Sequence, residues 1–263
     1  MTRIAIDYTP AHEQGAGIGR LVRDLVTALA EIDQKTDYRL FVAGATQTSI
    51  NQSFPPNYSW KPSRITPKLF ARLWHRLQIP LNVENFVGRD IDLYHATDFV
   101  LPPTRAKTRT ILTVHDLSFV KVPEAASARL KEYLDHVVPR SIANADHVIA
   151  DSVATKVDII ELYDVKPAKI SVLLSGVNSR FKPIKLTNDN AIRTKYKIPN
   201  RPFIFTIGTV QPRKNYGRLA EALSQLHQKK VDIDLVIAGG RGWLEDEIHQ
   251  NIEDLDLKDR VHF

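Results

Sequence analysis

Apolar positions along the chain follow two different spacings in turn. Residues 3–7 (RIAID) and 38–43 (YRLFVA) are short, mostly apolar runs, which are typical of strands buried in a sheet. Between them, apolar residues recur every three or four positions, which predicts a helix with one apolar face. That face comprises Ile18, Leu21, Val22, Leu25, Val26 and Leu29. The chain is therefore expected to begin with a strand, a helix and a strand.

The same alternation continues through the rest of the chain. Further strands are predicted at residues 92–96, 110–114, 147–150, 170–174, 203–207, 233–238 and from 261 onward. Further helices are predicted at residues 67–77, 127–143 with a bend at Pro139, 152–163 with Ser152 as its cap, 191–196, 215–227 and 243–253. Residues 45–66 are polar and rich in proline, and are predicted to form a loop. Strands that are apolar on both faces and alternate with helices predict an α/β fold with a helix-covered parallel sheet.

A polar segment divides the chain into two parts. Residues 181–200 contain Pro183 and Pro199 and few apolar residues, which indicates a linker. We therefore expect a complete α/β domain at residues 1–180 and part of a second α/β domain at residues 201–263.

Composition excludes some classes of site and leaves others open. The 263 residues include no cysteine, which excludes disulfides and thiolate metal sites. No signal peptide is evident in MTRIAIDYTP and no run of 18 apolar residues occurs, so a cytoplasmic location is expected. The net charge of +6 divides into +7 over residues 1–200 and −1 over residues 201–263. The basic part is interpreted either as a solvated surface or as a patch for acidic lipids or phosphorylated ligands.

The loop after the first strand is rich in glycine, at Gly15, Gly17 and Gly19. A dinucleotide-binding fingerprint fits poorly, because seven residues separate Asp7 from Gly15 and the second strand ends without an acid. No GxxxxGK[ST] motif occurs either. Two interpretations remain: backbone N–H groups that meet a phosphate or sugar at a helix start, or a turn that needs positive φ.

Two histidines lie at or just after the ends of predicted strands of the first domain. His115 and Asp116, in TVHDLSF, come directly after the strand at 110–114, and ligands of open parallel sheets bind outside the carboxyl ends of strands. A histidine there can hydrogen-bond a sugar hydroxyl or move a proton. His95, in LYHATDF, also ends a strand, and a core histidine satisfied by backbone is the alternative at both positions.

The predicted helix at residues 67–77 is both basic and apolar. Lys68, Arg72 and Arg76 recur every four residues, and an apolar stripe accompanies them. The stripe comprises Leu69, Phe70, Leu73, Trp74 and Leu77. The helix is interpreted either as lying on an anionic membrane surface or as packing on its domain with a solvated basic face.

Paired cations precede a predicted helix in the second domain. Arg213 and Lys214 follow the strand at 203–207 and its Gly208, and Asn215 is the expected cap of the next helix. An anion placed over a helix N-terminus gains from the free N–H groups and from the helix dipole, and the two cations add full charges. Another glycine-rich loop, AGGRGW, follows the strand at 233–238. It is expected to lie beside the loop that contains Gly208, Arg213 and Lys214.

Several of these stretches together resemble one family. The stretches AGIGRLVRDLVTAL, DLYHATDFVLP, TVHDLSFVKVPE, ADHVIADSVATKVDI, VLLSGVNSRFKP and GTVQPRKNYGRLAEAL, in this order along the chain, resemble stretches of retaining, nucleotide-sugar-dependent glycosyltransferases of family four, also called group 1. The resemblance covers nearly the whole chain. It implies a GT-B fold, here with a complete N-terminal Rossmann-like domain plus the first half of a second Rossmann-like domain.

The resemblance also implies roles for the candidate residues. His115, paired with Asp116 as the catalytic candidates, would lie near the transferred sugar, and His95 is a candidate on the acceptor side. Lys214 would contact the donor diphosphate, with Arg213 beside it as in the mannosyltransferase-like branch. The glycine loop around Gly17 and Gly19 would approach the donor phosphates or the acceptor.

The implied partners follow from the same resemblance. The donor would be a nucleotide-sugar, with GDP-mannose as one candidate, and the acceptor would be lipid-linked or a polysaccharide. No metal or other cofactor and no nucleic acid is expected. Peripheral contact with the inner face of the membrane is a further interpretation.

The family's second domain continues beyond the point that this sequence reaches. It carries a pair of glutamates seven residues apart that bind the donor sugar and ribose. We therefore expect impaired transfer by a chain ending at Phe263. The alternative hypothesis is a catalytically silent fragment that acts as a binding module or needs a complementing chain.

Overall fold

The computed structural model describes residues 1–50, 52–183, 190–242 and 245–263. Outside them lie residue 51 of the predicted loop, residues 184–189 of the predicted linker, and residues 243 and 244 of a predicted helix. The described residues divide into two compact units. The first contains residues 1–123 and 128–178, and the second contains residues 124–127 and 179–263.

Within its described residues, the first unit contains a parallel sheet of seven strands. They are β1 (Arg3–Asp7), β2 (Asp37–Ala43), β3 (Tyr58–Ser63), β4 (Leu93–Ala96), β5 (Arg109–Val114), β6 (His147–Ala150) and β7 (Ile170–Val172). Their order is β3-β2-β1-β4-β5-β6-β7, which is a doubly wound arrangement whose direction reverses between β1 and β4. The predicted parallel α/β sheet is confirmed, and its reversal point is where such folds bind ligands.

Helices connect these strands. They are α1 (Thr9–Glu13), α2 (Gly17–Ile32), α3 (Pro67–Ala71), α4 (Glu84–Val87), α5 (Ser118–Lys121), α6 (Ala128–Asn144) and α7 (Val153–Tyr163). Val22 and Val26 on the apolar face of α2 pack against Leu40 and Val42 of β2, as the spacing predicts. Ser152 caps α7 as predicted, because its hydroxyl accepts a hydrogen bond from the Thr155 backbone N–H at 3.0 Å.

Several elements of this unit differ from the sequence prediction, and the short helices α1, α4 and α5 were not predicted. The prediction that residues 45–66 form a loop throughout is wrong, because β3 lies within them and pairs with β2, with Pro62 opposite Val42. Proline lacks an N–H donor, and β3 tolerates it because it lies at the edge of the sheet. The predicted continuous helix at 67–77 is interrupted, since α3 ends at Ala71 and Arg72–Arg76 form a π-helical turn.

The second unit is a smaller α/β layer. It contains α8 (Asn190–Tyr196), β8 (Phe203–Ile207), α9 (Tyr216–Gln228), β9 (Asp234–Ala238), α10 (Glu245–Asp254) and β10 (Val261–His262). Within the described residues its three strands are parallel, in the order β10-β9-β8. Leu223 of α9, Ile237 of β9 and Ile252 of α10 are buried together in its core. The prediction of which segments of this unit form strands and which form helices is therefore confirmed.

Candidate functional site

Polar residues gather where the strand order of the first unit reverses. Asp7 ends β1, and Thr97 and Asp98 follow β4. The Thr97 hydroxyl donates a hydrogen bond to the Asp7 carbonyl oxygen at 2.6 Å. The Gln14 side-chain amide donates to the Asp98 carboxylate at 3.3 Å. Two carboxylates therefore lie at the edge of the sheet where ligands of this fold class bind.

His115 adds a third group to this cluster. Its side chain is only 7% exposed, at the carboxyl end of β5. The Nδ1 atom lies 2.7 Å from a carboxylate oxygen of Asp151, and Nε2 lies 2.9 Å from the Thr97 carbonyl oxygen. Nε2 is also 3.9 Å from a carboxylate oxygen of Asp98. Both ring nitrogens therefore face acceptors, which only the doubly protonated ring satisfies completely.

The electrostatics agree with a protonated His115. Burial alone would lower the pKa of His115, but the hydrogen bond and charge of Asp151, the charge of Asp98 and the Thr97 carbonyl together raise it. The imidazolium is locked between its partners, so it is suited to hold Asp98 and Asp151 in place. This geometry does not favour His115 as a proton carrier.

The carboxyl groups at this edge are also perturbed. Burial raises the pKa of Asp7 to about 6, although hydrogen bonds from Thr9 act in the opposite direction. Burial likewise raises the pKa of Asp98, against the charge of His115. Partly buried carboxyl groups accept hydrogen bonds from hydroxyls, so this edge suits a polyhydroxylated ligand. Sequence analysis did not single out Asp7, Asp98 or Asp151 as site residues, although each lies at the end of an apolar strand or within two residues after it.

Two predicted site residues have structural tasks instead. Asp116 accepts hydrogen bonds from the Ser118 backbone N–H at 2.9 Å and the Ser118 hydroxyl at 2.7 Å, where α5 begins. His95 is buried, and its Nε2 lies 2.8 Å from the Thr113 hydroxyl. Burial and then the charge of His115 lower the pKa of His95 to about 4. His95 is therefore a neutral core side chain at neutral pH.

Gly17 and Gly19 of the first glycine loop have different surroundings. Gly17 is the exposed first residue of α2, and a Cβ atom there would meet nothing within 4 Å. Gly19 is buried, and a Cβ there would lie 2.1 Å from the Gln14 carbonyl oxygen. Neither glycine has positive φ, so the second interpretation of this loop is wrong. Gly19 is required because α1 and α2 approach closely, whereas Gly17, like Gly15, is exposed.

In the second unit, the predicted cationic turn forms directly after β8. Pro212–Lys214 make one 3-10 turn, and both Arg213 and Lys214 are exposed. The stem of Lys214 lies along Gly208, because a Cβ at that glycine would be 3.4 Å from Lys214 Cε. Among the described residues no carboxylate pairs with the Lys214 ammonium group. Asn215 occupies the N-cap position of α9, but its side chain makes no capping hydrogen bond.

The second glycine loop touches this turn, as the sequence predicts. The Val210 backbone N–H donates to the Gly240 carbonyl oxygen at 3.0 Å, and Val210 bridges to Arg241. A Cβ at Gly239 would lie 1.8 Å from the Gly208 carbonyl oxygen, so only glycine permits this approach. The two loops thus form one surface at the carboxyl ends of β8 and β9, with uncapped helix N–H groups and an unpaired ammonium group beside it. Such an arrangement attracts an anion.

Within the part of the chain that the structure describes, no group of three or more His, Asp or Glu residues is arranged to hold a metal ion. No helix in that part is both long and apolar enough to cross a membrane.

The fold and the two polar edges define an α/β protein with polar surfaces at the carboxyl ends of its parallel strands. The chain belongs to Glycosyltransferase Family 4, whose family profile matches residues 15–181. The profile of Glycosyl transferases group 1 matches residues 188–263. The predicted family is confirmed by these matches.

A curated relative supports the family assignment and is longer than this chain. The chain is 26% identical over 250 residues to O-antigen chain mannosyltransferase B of Escherichia coli, covering 90% of this chain and 64% of that protein. The chain therefore spans about two thirds of the length of this relative.

Solved structures share the fold at low sequence identity. The structure of Anabaena Alr3699/HepE in complex with UDP and glucose is similar with a TM-score of 0.61 and 19% identity. The match covers 100% of this chain and 68% of that one. WaaG, a glycosyltransferase involved in lipopolysaccharide biosynthesis, is similar with a TM-score of 0.66 and 15% identity, covering 100% and 69%. The predicted fold is confirmed: a complete N-terminal domain and part of a second domain of the glycosyltransferase type.

Proposed function

We propose that this protein transfers a hexose from a nucleotide-sugar to a lipid-linked or polysaccharide acceptor, and that the turn at Arg213 and Lys214 holds the donor diphosphate. The observation that carries the proposal is the exposed Lys214 ammonium group at the start of α9, beside the Gly239–Gly240 loop. Family membership supplies the reaction class.

The chemistry needs positive charge at this position. Transfer breaks the bond between the sugar anomeric carbon and a phosphate oxygen, and the nucleoside diphosphate leaves with the electron pair. Negative charge therefore grows on the diphosphate as the bond breaks. Cations and helix N–H groups already in place stabilise that charge without reorganising, which lowers the barrier. In the first unit, the exposed N-terminus of α2 at Gly17 offers N–H groups of its own to an anionic or hydroxylated ligand.

In the first unit we assign hydroxyl recognition to the carboxylates rather than to the histidine. Asp98 is partly exposed, with 24% of its side chain accessible, while His115 is enclosed and spends both nitrogens on Asp151 and Thr97. His115 thus acts as a positioning residue for Asp98. Asp116 and His95 have no ligand contact in this proposal.

The sugar and its stereochemistry are the finer parts of the proposal. Mannose is favoured by the mannosyltransferase relative, and GDP-mannose is the candidate donor. The UDP-bound structural relative makes UDP-sugars the alternative. Retention of the anomeric configuration is proposed from the motif resemblance, and NMR of the first-formed product measures it directly.

Contact with an anionic membrane surface is proposed for the π-helical turn and its flanks. Leu69, Leu77 and Ile79 are 41–55% exposed, and Lys68, Arg72 and Arg76 are exposed among them. Phe70 is buried instead and stacks on Trp74 at 4.2 Å, so the predicted apolar stripe divides between core and surface. An exposed mixture of apolar and cationic side chains suits a lipid headgroup region.

The donor site is tested by calorimetry with GDP and with UDP. Lys214→Ala is expected to weaken binding of the preferred nucleotide about tenfold, because it removes a charge-assisted hydrogen bond. Lys229→Ala, at the opposite end of α9, is the matched control and is expected to leave the affinity unchanged. Equal affinity of Lys214→Ala and the unmodified chain would remove the phosphate site from this turn.

A further inference from the structure

A cavity of about 500 Å³ lies in the first unit, on the helix layer beside the sheet. The π-helical turn, the loop at residues 101–104 and the second half of α6 form its walls. Its volume falls within the range of small-molecule sites. None of the residues proposed above for donor or hydroxyl binding lines it, so its function is a separate question.

The cavity carries positive charge without acidic compensation. Among the described residues that line it there is no Asp or Glu, and Arg140 is the one residue with a permanent charge. The Arg140 guanidinium donates a hydrogen bond to Nε2 of His136 at 2.9 Å, so that nitrogen keeps its lone pair. Within the described chain no carboxylate pairs with Arg140. An anionic group in the cavity would therefore gain a charge-assisted hydrogen bond without displacing an ion pair.

One wall holds a polar atom that the protein leaves unsatisfied. Nε2 of His75 is buried and has no hydrogen-bond partner among the described residues. Burial, with a smaller contribution from His136, lowers the pKa of His75 to about 4, so the ring is neutral. Buried polar atoms nearly always have partners, and an unpartnered one calls for a ligand or water. A neutral imidazole nitrogen matches a hydroxyl group.

The remaining walls combine a fixed aromatic ring with amides and apolar residues. Trp74 is held by its stack on Phe70 and by donating from Nε1 to the Leu81 carbonyl oxygen at 2.7 Å. Gln78 and Asn144 contribute side-chain amides, beside Leu101, Pro102 and Pro103. A rigid ring next to hydroxyl-binding amides suits a ligand with an apolar face and several hydroxyls, such as a pyranose.

We propose that this cavity binds a phosphorylated saccharide, with its phosphate on Arg140 and its ring beside Trp74. The site is distinct from the donor loop of the second unit and goes beyond the proposed transfer reaction. The Asn144 side-chain amide and Nε2 of His75 form hydrogen bonds with the ring hydroxyls. The shared chemistry, a phosphate on a polyhydroxylated ring, is offered by a free sugar phosphate and by a sugar phosphate on a lipid.

Calorimetry of the full chain with glucose 1-phosphate, glucose and inorganic phosphate tests the proposal. Glucose 1-phosphate is expected to bind more tightly than either fragment, because ring and phosphate are recognised together. Arg140→Gln is expected to weaken it about tenfold, through loss of the charged donor. Asn144→Asp adds a carboxylate of the same shape to the wall, and is expected to weaken binding of glucose 1-phosphate more than binding of glucose, because the added negative charge repels the phosphate. Arg129→Gln, on the exposed first turn of α6, is the matched control.

Three results would overturn the proposal. The first is unchanged glucose 1-phosphate affinity in both Arg140→Gln and Asn144→Asp, with circular dichroism confirming that each is folded. The second is loss of binding in Lys214→Ala alone, which would place the ligand on the donor loop. The third is loss of phosphatidylglycerol vesicle binding in Arg140→Gln without loss of glucose 1-phosphate, which would assign Arg140 to a lipid headgroup. Nucleoside diphosphate binding is expected to survive Arg140→Gln, so the two proposals fail independently.

Discussion

Two histidines near the same end of the sheet have pKa values shifted in opposite directions because their neighbours differ. His95 is buried against the Thr113 hydroxyl, and its pKa falls to about 4. His115 is enclosed to a similar degree, yet the Asp151 and Asp98 carboxylates raise its pKa above the ordinary 6.5. Burial favours the neutral ring in both, and only His115 has charges that outweigh it. Residue type and position after a strand do not distinguish these cases.

Replacing Asp151 tests the charge state of His115. In Asp151→Asn the pKa of His115 is expected to fall, because burial is no longer offset by a carboxylate at 2.7 Å. NMR titration of the imidazole resonances measures this directly. Asp158→Asn, on α7, removes a carboxylate that pairs with Lys121 of α5, and is expected to leave the pKa of His115 unchanged.

The pairing of His115 with Asp151 is expected to make the stability of the fold depend on pH. A raised folded-state pKa means that the folded protein binds more protons than the unfolded chain above pH 6.5. The stabilisation from His115 is therefore complete below pH 6.5 and is lost as the pH rises through the folded value. Urea unfolding of Asp151→Asn is expected to show a weaker loss of stability over that range than the unmodified chain. An identical pH profile would contradict the buried imidazolium.

At the scale of elements, the packing of α1 against α2 depends on one glycine. Sequence analysis predicted a glycine loop here, but the structure places the five-residue α1 in it and requires Gly19 where the two helices meet. The Arg23 guanidinium donates to the carbonyl oxygens of Ala11 and Gln14 at the end of α1, which ties the two helices together. A contact of this kind is invisible to periodicity because it depends on how the chain returns on itself.

Alanine substitutions at the two glycines of α2 are expected to act in opposite directions. Gly19→Ala places a methyl group 2.1 Å from the Gln14 carbonyl oxygen and should destabilise the fold by about 1–3 kcal/mol. Gly17→Ala meets nothing within 4 Å and should be neutral or stabilising by up to about 1 kcal/mol. Urea denaturation midpoints compare them. Equal stability of the two variants would show that α1 moves away without cost.

On the scale of the whole molecule, positive charge is concentrated in the part of the chain that contains the π-helical turn and its exposed apolar flanks. Residues 1–200 hold a net charge of +7, against −1 for residues 201–263. The exposed Leu77 and Ile79 lie beside Arg72 and Arg76 in that basic part. Charge and apolar exposure together favour adsorption to an anionic surface through this part of the first unit.

Vesicle co-sedimentation tests the membrane proposal. Binding to phosphatidylglycerol vesicles is expected to fall by about 2 kcal/mol, roughly thirtyfold, in the Arg72→Gln/Arg76→Gln double variant, and to weaken with added salt. Leu77→Ser should also weaken binding, whereas Ile32→Ser at the exposed end of α2 is the control. Binding that ignores both salt and these variants would leave the basic face as plain solvated surface.

Periodicity, motifs and composition determined much of this protein in advance. The apolar spacing predicted the α/β class, every strand except β3, and the helices apart from the short α1, α4 and α5. Polar residues beside the predicted elements indicated the Ser152 cap and the cationic turn at Lys214, and the ordered motifs indicated the family. These features depend on backbone geometry and on neighbours a few residues away, so a linear sequence contains them. The edge strand β3 was not predicted, because a proline such as Pro62 disfavours a strand unless that strand lies at the edge of a sheet.

Tertiary structure alone decided the character of the sites. It brought Asp98 and Asp151 to His115 and so raised the pKa of that ring, and it placed Asp116 at a helix start and His95 in the core. It also assembled the cavity between Trp74 and Arg140 from segments that are far apart in sequence. The physical reason is common to all of them, because burial, protonation and cavity shape depend on distances between residues that only the folded chain brings together.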